Sequence, residues 1–244
     1  MTGIVDLHIH AVPRVDDGAK DVRTSLAMLR MAYDQGVRHI FCTSHNGYSR
    51  EDADKYSLGF LMLNSMARSL FPDLKLYRGT EVLCAAEYID DIIYGLKNEI
   101  FLPLGNSDCV LTEFYPDVTP DEAEKITESL VKAGYRPIIA HAERYPGLYE
   151  TVPELIKSGC RIQINAHSLI SDPYGSEINH ARRLLSEGCV SFIGSDAHDT
   201  ETRPPMLSEG VRYIREYAEN GYAEDILHGN AEKLGIIDVS GAGK

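Results

Sequence analysis

The chain has 244 residues, of which 43% are apolar and 25% charged, and 24 Lys and Arg stand against 37 Asp and Glu for a formal net charge of −13. That size and balance suit one large globular domain over residues 1–244. The excess of acid argues against a nucleic-acid backbone or an anionic membrane as partner, because most of the surface would repel either.

Ile4 opens an apolar run that ends in Asp6-Leu7-His8-Ile9-His10. Alternation along a strand puts Asp6, His8 and His10 on one face and Val5, Leu7 and Ile9 on the other. Two buried imidazoles so close together need a partner, and a divalent cation is the usual one. Asp6 also interrupts the run, so nothing here reads as a signal peptide. No later stretch approaches the ~20 apolar residues of a membrane span. A cytoplasmic protein without membrane insertion is expected.

A turn at Asp16-Asp17-Gly18 precedes a predicted helix over Val22–Gln35, which Gly36 stops. Val37–Thr43 is a strand delivering His45. The polar segment Asn46–Ser57 reads as an entrance loop, followed by a helix over Leu58–Leu70 that Pro72 terminates. Leu74–Tyr77 rises into Gly79-Thr80-Glu81, a helix follows near Ala85–Leu96, and Asp108–Glu113 is a strand closing on a carboxylate. Thr119-Pro120-Asp121-Glu122 has the form of a capping box with Pro at the first helical position. Its helix stops at Gly134, and Pro137–Ala140 then delivers His141, with Glu143 and Arg144 behind. A helix over Val152–Ser158, a strand over Arg161–Ile164, a helix over Glu177–Glu187 and a strand over Val190–Ile193 complete the pattern, the last delivering Asp196 and His198.

Helices repeatedly end in a Gly followed at once by a strand, the short connection of a parallel sheet. About seven strands alternate with helices, which implies a doubly wound sheet or a barrel. At least five strands carry His, Asp or Glu at their carboxyl ends. Only a closed barrel brings such ends to one point, so a barrel is favoured.

His8, His10, Asp17, His45, Glu81, Glu113, His141, Asp196 and His198 are the candidate ligands. At four to six donors per ion they imply two or three divalent ions, and mixed nitrogen and oxygen donors suit Mn, Fe or Zn. The five cysteines include no Cys-x-x-Cys pair, and none precedes an Arg at the spacing a thiol phosphatase needs. They read as reduced packing residues.

These motifs, with His141-Ala142-Glu143-Arg144-Tyr145 and Ser195-Asp196-x-His198, resemble the polymerase-and-histidinol-phosphatase family. Asp16-Asp17-Gly18 and Arg203-Pro204-Pro205 resemble its bacterial capsule-type protein-tyrosine phosphatases, whose partners are tyrosine kinases of polysaccharide export. The resemblance implies a distorted (β/α)7 barrel with a trinuclear, usually manganese-dependent site. It assigns His8, His10, Glu81 and Asp196 to one ion. Glu81, Glu113 and His141 go to the second, and Asp17, His45 and His198 to the third. Thr200-Glu201-Thr202 departs from the family in lacking a Gly, and His167 falls out of register and is not counted.

The reaction this implies is hydrolysis of a phosphomonoester, by a hydroxide that bridges two ions and attacks phosphorus in line. Arg144 and Arg203 are the arginines placed to fork onto phosphate oxygens. In blander readings Arg144 only pairs with Glu143, and Arg203 is a surface charge. Asp6 is expected to orient a ligand histidine rather than bind metal. The expected substrate is phosphotyrosine in a flexible tail of a bacterial tyrosine kinase. Histidinol phosphate or another small phosphomonoester is the alternative.

Overall fold

The computed structural model describes residues 3–45, 47–171 and 177–237. In chain order it runs β1 (Ile4–Ile9), α1 (Val22–Asp34), β2 (Val37–Cys42), α2 (Arg50–Leu70), β3 (Lys75–Arg78), β4 (Glu81–Cys84), α3 (Ile89–Lys97), β5 (Cys109–Phe114), α4 (Pro120–Lys132), β6 (Arg136–Ile139), α5 (Val152–Lys157), β7 (Arg161–Asn165), α6 (Glu177–Ser186) and β8 (Phe192–Gly194). Three further helices follow: α7 (Ser208–Tyr217), α8 (Asn220–Glu224) and α9 (Asn230–Lys233), the last two joined by a π-helical segment at Asp225–Gly229.

Every strand pair is parallel, in the orders β1-β2-β3 and β4-β5-β6-β7-β8. Backbone hydrogen bonds join the two sheets at their carboxyl ends. Glu81 N–H donates to Thr43 O at 2.9 Å, Asp196 N–H to His8 O at 2.7 Å, and His10 N–H to Ala197 O at 2.9 Å. The result is the distorted seven-stranded barrel, with β3 and β4 as two halves of one strand. The interruption falls at Gly79-Thr80, where Thr80 N–H turns aside to Leu102 O at 3.0 Å and Gly105 N–H takes Arg78 O at 2.7 Å, so residues 102–105 fill the gap between β3 and β5.

Val5, Leu7, Phe41, Leu111, Ile138 and Phe192, from five strands, form the core inside the ring, and Ala231 of α9 joins it with Ile236 and Ile237 from the turn after that helix. A larger outer core packs the helices on the strands, including Ile9, Ile40, Val82, Val110, Ile139, Ile162 and Ile193. Full burial of such side chains is worth roughly 1.5–3 kcal/mol each. Val5 and Leu7 lie in the inner core whereas Ile9 lies in the outer one, so the expected alternation along β1 slips. The cause is a register shift between Asp6 and Ile9. Asp6 therefore does not share a face with His8 and His10, a correction to the sequence reading.

The entrance loop expected over residues 46–57 is also corrected. α2 begins at Arg50, where the Ser49 side chain caps Asp52 N–H, with Glu51 and Asp52 in the first turn. Asn46 lies outside the described residues. Helix α3 starts at Ile89 rather than near Ala85. The capping box at Thr119 forms as read, with both the Thr119 and Glu122 side chains engaged.

Candidate metal centre

The ligand candidates converge because most sit at or just beyond a strand's carboxyl end, while Glu81 follows the break between β3 and β4 and Asp17 lies in the loop after β1. His8 Nε2 and His10 Nε2 are 3.1 Å apart, and each is 3.1 Å from Glu81 Oε2. Asp196 Oδ1 lies 3.6 and 3.5 Å from the same two nitrogens. His141 Nε2 is 2.9 Å from Glu81 Oε1 and 3.6 Å from Glu113 Oε1. His45 Nε2 is 3.4 Å from Glu81 Oε2 and 3.8 Å from Glu113 Oε2, and His198 Nε2 is 3.4 Å from Asp17 Oδ1. All nine candidates thus stand in one cluster, with Glu81 at its middle.

The backbone is bent to achieve this. His141 and Asp196 both adopt the left-handed region, at φ 32° and 51°, a conformation that costs a non-glycine residue on the order of 1–3 kcal/mol. Gly194 is required beside them, since a Cβ there would come within 2.5 Å of the His8 Cβ. Gly18 is required by the turn before it, which folds back so closely that a Cβ would lie 2.3 Å from His10 O.

Each of the five imidazoles has its Nδ1 facing a group that accepts a hydrogen bond. His8 faces Gln163 Oε1 at 3.3 Å, His10 faces Asp16 Oδ2 at 2.7 Å, and His45 faces Glu81 O at 3.4 Å. His198 faces Asp196 O at 2.9 Å, and His141 faces the Tyr145 hydroxyl at 3.3 Å, which itself donates to Phe114 O. Gln163 Oε1 is identified as the amide oxygen because it also accepts His141 N–H at 2.9 Å. Pinned in this way, a neutral imidazole carries its hydrogen on Nδ1 and presents a bare Nε2. Five lone pairs then point at carboxylate oxygens, an arrangement that a cation resolves. The donor set fits divalent metal.

Without a bound cation the imidazoles themselves supply the positive charge that the carboxylates call for. Burial by itself would push His8 and His10 down, yet Glu81, Asp196 and Asp16 hold both above the ordinary imidazole pKa. Burial opposes ionisation of Glu81 and Asp196 too, but the imidazoles, with Arg144 for Asp196, hold both below the usual carboxylate range. Glu113 is pushed up to about 7 by burial and by Glu81. A bound cation beside Glu113 would draw its carboxyl back down.

Arg144 and Arg203 both reach this cluster, each with Nη2 3.0 Å from Asp196 Oδ2. Arg144 pairs also with Glu177, at 3.7 Å, rather than with Glu143. Arg203 Nη1 is 3.9 Å from Asp17 Oδ2. The loop before it closes without the expected Gly because the Asp199 carboxylate accepts the N–H groups of Glu201, Thr202 and Arg203. Both arginines line a cavity of about 930 Å³ with Pro116, His167, Ser171, Glu177, Ser195, Asp196, Thr202, Pro204 and Met206.

Asp6 serves the backbone and not a ring. Its Oδ1 accepts Ser195 N–H at 2.8 Å and His8 N–H at 3.3 Å, and burial pushes its carboxyl up to about 6. The ring-orienting groups are residues that sequence reasoning missed: Asp16, Gln163 and Tyr145. Asn165, from the same strand as Gln163, donates to Asp196 Oδ2 at 3.1 Å and receives the Gln163 amide at 3.1 Å. Buried Glu143 holds Asn165 N–H at 2.9 Å. The one available signal was the polar pair Gln163-x-Asn165 inside an apolar strand.

A parallel barrel whose strand ends gather imidazoles and carboxylates around one point, with two guanidiniums at the rim, defines a metal-centred hydrolase of the polymerase-and-histidinol-phosphatase type. More narrowly, the chain belongs to the CpsB/CapC family of capsular polysaccharide synthesis, whose profile matches residues 4–235. It is 31% identical over 241 residues to the tyrosine-protein phosphatase CpsB of Streptococcus agalactiae, with 95% of this chain and 98% of that one covered. It is also 31% identical over 238 residues to the tyrosine-protein phosphatase YwqE of Bacillus subtilis, with 95% and 91% covered. A solved structure from work on YwqE of B. subtilis and CpsB of Streptococcus pneumoniae, described as unique metal-dependent tyrosine phosphatases, superposes with a TM-score of 0.78 at 29% identity. It covers 95% of this chain and 94% of that one.

Proposed function

We propose that this chain is a metal-dependent protein-tyrosine phosphatase, hydrolysing phosphotyrosine without a covalent enzyme intermediate. The observation that carries the reading is the pair of guanidiniums meeting at Asp196 Oδ2 beside five imidazoles whose Nε2 atoms each face a carboxylate oxygen. His8, His10, Glu81 and Asp196 would hold one divalent cation, Glu81, Glu113 and His141 a second, and Asp17, His45 and His198 a third, with manganese the favoured metal. Bound there, such cations lower the pKa of a water and offset the charge of a phosphate.

The chain's own residues do the rest. Arg144 and Arg203 bind non-bridging phosphate oxygens and orient the ester for in-line attack, exchanging part of their hold on Asp196 for the substrate. Gln163, Asp16 and Tyr145 keep the imidazoles in one tautomer, so no ring turns its N–H inward as charge develops. A phenolate with a pKa of ~10 leaves more readily than a serine alkoxide, which lessens the need for a proton donor. The thiols take no part: burial raises all five cysteines away from the reactive thiolate form.

The family and the names of the relatives support a phosphotyrosine protein as substrate. We take the tail of a bacterial tyrosine kinase of polysaccharide export, in the cytoplasm, as the physiological partner. No helix among the described residues is long and apolar enough to cross a membrane. The test compares kcat/KM for a phosphotyrosine peptide, a phosphoserine peptide and histidinol phosphate under the same Mn²⁺. The phosphotyrosine peptide is expected to lead, and a tenfold advantage for histidinol phosphate would replace this reading with that of a small-molecule phosphatase.

A further inference from the structure

Helix α2 is apolar on two sides. Ala53, Tyr56, Phe60, Leu63 and Ala67 are buried against the barrel. On the opposite side Leu58, Leu61, Met62 and Met66 recur at i, i+3, i+4 and i+8, with exposures of 69, 61, 45 and 40%. A lone exposed Leu is ordinary, but four neighbouring large apolar side chains on one helix face form a patch of the kind that marks a protein contact. From Leu58 to Met66 it runs along roughly 12 Å of the 21-residue helix. It is also seated on the catalytic end of the barrel: a Cβ at Gly59 would lie 2.9 Å from Val12 Cγ1, in the segment that leads to Asp16 and Asp17.

We propose that this face pairs with the same face of a second copy of the chain, the two α2 helices running antiparallel about a two-fold axis beside Leu61. Charge selects that partner. On the flank of the patch nearest Leu61, Asp54 lies seven residues before it and Arg68 seven residues after it. Antiparallel pairing therefore sets Asp54 of each copy beside Arg68 of the other. Both residues are exposed, and among the described residues neither has an ion-pair partner within its own chain. Lys55 falls on the other flank with Met62 and Met66, away from Arg68. A parallel pair would instead set this flank against the partner's other flank, where Arg68 faces Met66 and its charge goes uncompensated. A specific contact needs ~1,000 Å² in all, so the polar rims join the apolar patch in it, and a self-complementary patch is what a two-fold interface requires. A net charge of −13 makes local complementarity the more necessary, since the rest of the two surfaces repel.

Sedimentation equilibrium of the full chain tests this. The wild type is expected at twice the chain mass at micromolar concentration, and Leu61→Lys at the single mass with an unchanged thermal melt. Arg68→Asp should weaken the dimer about tenfold or more, and adding Asp54→Arg to it should restore the wild-type constant. A wild type that stays monomeric at every concentration, whether or not it floats with phosphatidylcholine vesicles, overturns the proposal. So does a dimer that Leu61→Lys leaves intact, or one whose Arg68→Asp loss the second substitution does not repair.

Discussion

The Gln163 carboxamide serves two strands at once, accepting the His8 Nδ1 hydrogen and the His141 backbone N–H through one oxygen. Gln163→Leu keeps much of the volume and removes that acceptor, so His8 is free to place its hydrogen on Nε2. We expect Mn²⁺ affinity to fall by about 10–100-fold while kcat recovers at saturating metal; titration of metal-free protein reads the first and kinetics the second. Affinity within twofold of wild type would sink the tautomer account. Arg203 acts differently. Arg203→Ala should leave metal affinity largely unchanged and lower kcat/KM for a phosphotyrosine peptide by about 1.5–3 kcal/mol, the worth of a charged hydrogen bond. A change in metal affinity alone would place Arg203 as a partner of Asp196 and nothing more. At this scale the sequence was readable where a donor ends an apolar run, as at His45, Glu113 and His141. It was not readable where a polar residue supports a donor from another strand. Nothing in Asp16-Asp17 says which carboxylate folds back to His10, and nothing near Asp6 announces the register shift that turns it away from the histidines.

Helix α4 shows what local sequence can specify without tertiary help. Thr119 accepts Glu122 N–H while the Glu122 carboxylate accepts Thr119 N–H. Thr119→Ala should cost about 1 kcal/mol and lower Tm by about 2–4 °C in a chain of this size, with kcat unchanged. A drop in kcat at equal stability would show that the helix does more than hold its place. Elsewhere the elements depend on contacts that no short window reveals. The first two turns of α2 read as a polar loop because their solvent side is charged, and only the burial of Ala53 and Tyr56 makes the segment a helix. The break at Gly79-Thr80 depends on residues 102–105, over twenty positions away, taking the freed hydrogen bonds. Helices α7 to α9 follow the last ligand, so no pattern of strand ends pointed to them, although the turn after α9 fills the barrel's inner core.

For the whole molecule, alternation of strands and helices made the parallel barrel legible, and convergence of the ligands followed from it. In the proposed reading Glu81 is shared between two of three ions. The most direct test is phosphotyrosine-peptide turnover by protein stripped with a chelator, verified metal-free by elemental analysis, and then titrated with Mn²⁺. Turnover should vanish in the stripped protein and return in step with about three ions per chain, and prior treatment with a thiol alkylator should leave the restored rate largely intact. Full turnover in protein shown to hold no metal, or a restored rate abolished by alkylation, would contradict the account.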